Sequence, residues 1–318
     1  MRAWMMALVM AVVAWGAEPV KVLDAGAGEG PAWHPEMGLF FSGGGRITRL
    51  AVGAGGALGK AEVYRDPSGG SNGLLWDAEG RLVVCEAANR RVTRIEKDGR
   101  VTVLADHFEG KRFNSPNDLT VDGKGRIYFS DPRYGRREGM EILDGEGRAV
   151  EGVYRIDAPG KVARVITHEA DRPNGVLVSA GDKYLYVADN NNNTVGGARK
   201  LWRFDLQSDG SVAAGSRRLL FDWESSRGPD GLKRDESGRL YVAGGLNKAN
   251  KFESPEKYRG GVFVLSPEGK LERFVPIPVD EVTNIAFGGK DWKTLFITAG
   301  GTLWTLRVNV AGVAPMRK

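Results

Sequence analysis

"NSPNDLTVDGKGRIYFSDP", residues 114–132, ends in a strand pattern and begins with a pair of residues that a strand does not need. Arg126-Ile127-Tyr128-Phe129-Ser130 is rich in branched and aromatic residues, the composition of a short β-strand. Ahead of it, the polar pair Asn117-Asp118 stands directly against the apolar Leu119. The same arrangement recurs along the chain. Glu29-Gly30-Pro31, Asn72-Gly73-Leu74, Asn117-Asp118-Leu119, Asn174-Gly175-Val176, Asp230-Gly231-Leu232 and Asn284-Ile285-Ala286 follow one another at intervals of 43, 45, 57, 56 and 54 residues. After each comes a turn and an apolar strand: MGLFFS, GRLVVCE, GRIYFSD, KYLYVAD, GRLYVAG and KTLFITA.

Most units add a further strand, such as RVTRIE, GVYRID, KLWRFD, GVFVLS or TLWTLR, and several add a fourth, such as RVTVLAD and ARVITHE. Six units of about 45–55 residues, each with three or four short strands, carry the signature of a propeller. A single sheet cannot bury both of its faces. Six packed radially cover one another and leave only short edges. No amphipathic helix of ten or more residues interrupts the series, which argues against βαβ units. The 45 glycines, many of them in Asp-Gly, Glu-Gly and Asn-Gly pairs, supply the tight turns such a fold needs. A chain of 318 residues would suggest two domains on length alone, but a single all-β domain reaches this size. The reading is all-β, a six-bladed β-propeller formed by residues 17–318, with a central metal-binding channel.

The channel follows from register. If each anchor opens the innermost strand of its blade, Glu29, Asn72, Asn117, Asn174, Asp230 and Asn284 form a ring around the axis. All six side chains carry oxygen and two are carboxylates. Asn or Asp before Gly also builds turns by bonding its own backbone, and at any one position that reading competes. Six in register, with no apolar residue among them, favour the ring. Crowded amide and acid oxygens need water or a cation as partner. An oxygen-only set of mixed charge suits a hard cation, and Ca2+ tolerates irregular geometry better than Mg2+. Other divalent cations remain compatible with the same donors. A second set of acids, Glu86, Asp131 and Asp189, falls 14 or 15 residues after the second, third and fourth anchors. At strand ends they read as turn-capping groups.

Other chemistries find little support. Cys85 is the only cysteine and sits in the strand pattern LVVC, so it reads as a buried thiol. Three scattered histidines with one cysteine make a zinc site improbable. There is no G-x-S-x-G elbow and no Ser-His-Asp set for covalent catalysis. Basic pairs such as Lys111-Arg112 and Arg217-Arg218 are dispersed among acids, which excludes a nucleic-acid stripe. Arg2 followed by an apolar run from Ala3 to Trp15 and the small residues Gly16 and Ala17 has the layout of a secretory signal over residues 1–16. The run is too short to span a bilayer comfortably. The mature protein is therefore expected to be exported, periplasmic or secreted, without a membrane association of its own.

The motifs EGPAW, NSPNDLTVDGKGRIYFSDPRYG, RPNG, GPDGL and TNIAFGG…TLFITA, in this order, resemble the gluconolactonase and regucalcin-like (SMP-30/gluconolactonase/LRE-like) family. The same motifs resemble diisopropyl-fluorophosphatase more distantly. The resemblance covers nearly the whole mature chain. It implies a calcium ion held by Glu29, Asn117, Asn174 and Asp230, four of the six anchors that register had already singled out. Asn72 and Asn284 are then substrate-facing or supporting groups. The family's substrate-contacting Arg, two residues before the third anchor, is replaced here by Ser115. Arg172 and Arg227, which flank ligand motifs, are the first candidates to substitute for it. The expected function is metal-assisted hydrolysis of a small-molecule lactone, with Asp230 positioning and deprotonating the water. The alternatives are a phosphotriesterase-like hydrolase on the same ring and a non-catalytic ligand- or protein-binding propeller. No oligomeric state follows from the sequence.

Overall fold

A computed structural model describes residues 18–135 and 137–314; the expected leader, residues 1–16, lies outside the described residues. Its framework is six four-stranded antiparallel sheets. The innermost strands are Glu29–His34, Ser71–Trp76, Leu119–Val121, Pro173–Val178, Leu232–Arg234 and Val282–Gly288. In blades one to five the four strands follow one another outward in sequence order. The sixth is assembled differently. Its fourth, outermost strand is Val20–Leu23 from the start of the described chain, paired antiparallel with Thr302–Arg307. The only helical elements among the described residues are two three-residue 3-10 turns, and no helix is long and apolar enough to cross a membrane.

The turn between the first and second strands explains how a glycine-rich sequence achieves regular blades. In Asp77–Arg81, Asp122–Arg126 and Asp235–Arg239 the pattern is Asp-x-x-Gly-Arg. One oxygen of each Asp accepts the N–H groups two and four residues on. The other oxygen pairs with the Arg guanidinium at 2.6–2.8 Å. Gly80, Gly125 and Gly238 take φ of 72°, 81° and 87°, the left-handed conformation these turns demand and a side chain resists.

The core lies between blades. Phe40 of the first blade meets Trp76 of the second edge-to-face at 5.0 Å, and Trp33 of the first stacks on Phe296 of the sixth at 5.4 Å. Tyr241 and Phe287 join the fifth blade to the sixth at 5.0 Å. Each such ring contributes about 1.5–3 kcal/mol through burial, so the blades are held to one another rather than each standing alone. Cys85 is fully buried in this core, and burial raises its thiol well above the ordinary range, as expected of an inert packing residue.

Candidate active site in the central channel

The anchors do open the inner strands. Glu29, Asn72, Asn174 and Asn284 lie within the first three residues of theirs; Asn117 and Asp230 stand two residues ahead of Leu119 and Leu232. Neighbouring blades touch at this level through main chain. The N–H of Gly73 donates to the Asn117 carbonyl and that of Gly231 to the Thr283 carbonyl, both at 2.7 Å. A β-carbon on Gly30 would come within 2.1 Å of the Asn72 carbonyl, and one on Gly231 within 2.1 Å of the Asn284 side chain. The glycine that follows an anchor is what lets the strands converge this tightly.

Three of the side chains, Glu29, Asn174 and Asn284, are set by specific bonds. Glu29 Oε2 accepts from Asn284 Nδ2 at 3.1 Å and from the Gly30 N–H at 3.0 Å. Asn284 Oδ1 accepts the Ile285 N–H at 2.9 Å, so both ends of that amide are engaged. Asn174 donates through Nδ2 to the Tyr134 hydroxyl at 3.0 Å, and that hydroxyl donates to the Asn190 carbonyl at 3.2 Å. The amide of Asn174 is thereby oriented with its oxygen left over. Asn72 Oδ1, Asn174 Oδ1 and Asp230 Oδ1 are buried and have no hydrogen-bond partner.

Burial and like charge strain the carboxylates. Glu29 is pushed up to about 7, first by burial and then by Asp118; the bonds from Asn284 and Gly30 oppose the shift. Asp230 is raised well above the usual range by burial and then by Glu29, with the Arg227 guanidinium pulling the other way. Among the described residues no three His, Cys, Asp or Glu side chains form a metal cluster on their own. The donor set here is mixed. Two carboxylates and amide oxygens, three of these six ring side chains bearing a buried oxygen without a donor, match what a hard divalent cation requires. Glu29, Asn117, Asn174 and Asp230 are the residues that could hold it.

Asp118 was not singled out by the repeat. Its Oδ1 accepts the Leu119 N–H at 2.9 Å, and its Oδ2 lies 3.5 Å from Asn284 Nδ2. It thus reaches from the third blade to the sixth and adds a third acid beside Glu29 and Asp230. The signal was present: four of the six anchors are followed by Gly, but Asn117 is followed by Asp. Tyr134 was missed as well, because nothing in the spacing ties it to Asn174.

The arginine candidates are not solvated loop charges. Arg172 is buried, pairs with Glu151 at 3.1 Å, bonds Asn193 and lies over the Tyr134 ring at 5.4 Å. Arg227 is buried between Glu253, at 3.3 Å, and Glu281, whose side chain is half exposed. Of the two, Arg227 has the closer electrostatic tie to Asp230. Ser115 is half-buried, its N–H bonded to Asp131. Further along the inner strands the channel turns apolar. A cavity of about 100 Å3 lies there, walled by residues such as Leu74, Leu119, Val176 and Ala286, with Lys233 and Arg234 at its side.

Comparison with known proteins places this architecture. The gluconolactonase of Zymomonas mobilis is 28% identical over 289 residues, covering 88% of this chain and 72% of that protein. The solved structure of a gluconolactonase from Xanthomonas campestris is 30% identical, with a TM-score of 0.73 over 92% of this chain and 89% of that one. A calcium-binding regucalcin from Agrobacterium tumefaciens shares the fold at 18% identity, with a TM-score of 0.69 over 94% of this chain and 96% of that one. The SMP-30/gluconolactonase/LRE-like family model matches residues 27–301, and the chain belongs to that family.

Proposed function

We propose that the protein is a calcium-dependent lactonase that opens a small lactone, such as a sugar lactone of the gluconolactone type, by attack of water. One observation carries this reading. Asn72, Asn174 and Asp230, at the starts of their inner strands, carry buried oxygens without a partner, and the carboxylates of Glu29, Asp118 and Asp230 crowd one another there. The relatives named gluconolactonase support the reaction class. A calcium ion bound by Glu29, Asn117, Asn174 and Asp230 would polarise the lactone carbonyl and stabilise the developing oxyanion.

The chain's own groups do the rest. Asn284 and Gly30 hold Glu29, and Tyr134 holds Asn174, so that their free oxygens keep one geometry. Asp230, a buried carboxylate beside Glu29, is the proposed acceptor for the proton of the attacking water, with its basicity moderated by the cation it would help to hold. As the ring C–O bond breaks, that proton passes to the departing alkoxide oxygen, giving the open hydroxy acid. Arg227 beside Asp230 is the candidate to orient hydroxyls of the substrate. The test is acid release from glucono-δ-lactone, read with a pH indicator, in the presence of calcium and then of EDTA. Calcium-dependent release is expected. No release from any of several lactones with metal present would sink the proposal, and turnover of a phosphotriester instead would select the phosphotriesterase reading.

A further inference from the structure

Asp131, the last residue of the second strand of the third blade, and Asp189, the last but one of the fourth's, hold the loops that carry two of the candidate calcium ligands. Asp131 accepts the N–H of Asn114 through Oδ2 and that of Ser115 through Oδ1, both at 2.7 Å. Asp189 accepts the N–H of Asp171 at 3.0 Å and that of Arg172 at 2.8 Å. In both blades the bonded N–H groups lie three and two residues before the anchor, Asn117 or Asn174. In both, the one residue between is proline: Asn114-Ser115-Pro116-Asn117 and Asp171-Arg172-Pro173-Asn174. A proline fixes φ near −65°. The acid pins two main-chain atoms, the proline adds a stiff joint, and the asparagine follows with little freedom left.

Two comparisons within the molecule separate this arrangement from ordinary strand capping. Glu86 occupies the corresponding place in the second blade, but it bonds Arg65, Arg91, Thr93 and Asn89. Its loop, Gly69-Gly70-Ser71-Asn72, has no proline, and Asn72 is outside the four-residue ligand set. In the fifth blade, Pro229 precedes Asp230, but Gly244 stands where the acid would be. A β-carbon there would lie 3.0 Å from the Gly228 carbonyl, and the Gly245 N–H ties the loop by bonding the Arg227 carbonyl at 3.0 Å. Asp131 and Asp189 are both buried, and burial is the main cause that raises each of them. A buried carboxylate is costly to keep unless its bonds serve the structure around it.

We infer that Asp131 and Asp189 are positioning residues that set the calcium affinity of the channel by fixing Asn117 and Asn174. Both carboxylate oxygens are needed to accept neighbouring N–H groups, and an amide in their place presents a donor to one of them. The inference rests on the metal reading above, and calorimetric titration with Ca2+ separates the two. Wild-type protein is titrated beside Asp131→Asn, Asp189→Asn and the control Glu86→Gln, each checked for a cooperative melt. The first two are expected to bind calcium about 10- to 100-fold more weakly, the range for groups that orient metal ligands. Their turnover should recover towards wild type at saturating calcium, and Glu86→Gln should keep the wild-type affinity. Asp131→Glu keeps the charge but displaces it by one methylene; it should fold, because Glu serves at this place in the second blade, and still bind calcium more weakly. Unchanged affinity in folded Asp131 and Asp189 variants overturns the inference while leaving the metal site standing. Equal weakening in Glu86→Gln overturns it too, since the effect would then be general to strand-end acids. A wild type that takes up no calcium removes the metal reading and this inference with it.

Discussion

Asp230 and Asn174 each keep one buried oxygen without a partner, yet they differ by a charge and by the ability to take a proton. Asp230→Asn keeps size and turn-forming tendency, so the fold should persist. Calcium affinity should fall, and turnover should stay about 100-fold or more below wild type even at saturating calcium, the lower end of what a positioned base contributes. Asn174→Ala removes a neutral oxygen only, and most of its activity should return as calcium is raised. Lactone hydrolysis against calcium concentration for the two variants checks both statements. Full rescue of Asp230→Asn would reduce Asp230 to a ligand and shift attention to Glu29 as base. Tyr134→Phe tests orientation rather than ligation: without the hydroxyl, Asn174 can rotate, and calcium binding should weaken with little change in melting temperature. At this scale the sequence was informative where chemistry repeats. The six oxygen-bearing anchors could be read from spacing, because every blade needs an equivalent residue at the start of its inner strand. Tyr134 could not, because it is used once and reaches the site from a place the repeat does not define; Asp118 left a mark, an acid where four other anchors are followed by glycine.

The elements tell the same story in backbone terms. Inner and second strands were legible because they are buried on both faces and read as continuous apolar runs, as Leu240–Gly244 does. Outer strands were harder. Leu58–Arg65 is exposed along most of its length, so no alternation survives in its sequence, and Arg218–Asp222 likewise lacks a buried face. Their pairing is dictated by the neighbouring strand rather than by their own composition. The hairpin of His107–Phe108 with Lys111–Arg112 was also unmarked, being two residues a side. Where inner strands converge, the sequence constraint becomes severe. Gly231→Ala would drive a methyl into Asn284 and push it away from Glu29. The variant should lose about 1–3 kcal/mol of stability, as overpacking does, and should bind calcium more weakly; denaturant unfolding and titration would show both. Wild-type behaviour in both measurements would mean that the blades can part at little cost.

For the molecule as a whole, the channel couples metal, protons and stability. Glu29 is raised from 4.5 to about 7 in the folded metal-free protein, so folding favours its protonated form. That contribution to stability is present in full below about pH 4.5 and is lost as pH rises through about 7. Metal-free protein should therefore melt at a lower temperature at pH 8 than at pH 6, and Asp230, raised in the same direction, adds to the effect. Added calcium should stabilise more at pH 8, where no proton competes for the carboxylate. Melting curves with calcium and with EDTA across that range test the sign, and a calcium effect that shrinks as pH rises would contradict it. The sixth blade adds a different kind of coupling. Its last strand, Val20–Leu23, pairs Val20 with Thr305 and Leu23 with Leu303, joining the two ends of the described chain. Order of synthesis runs against order of assembly here: the first of these residues to be made are the last to find their neighbours. A chain stopped short of Thr302 has five blades and the inner two strands of the sixth, but not the strand on which Val20–Leu23 is laid. Until Thr302–Arg307 has been made, Val20–Leu23 stays unpaired and open to proteases, and closing the sixth blade is what hides it.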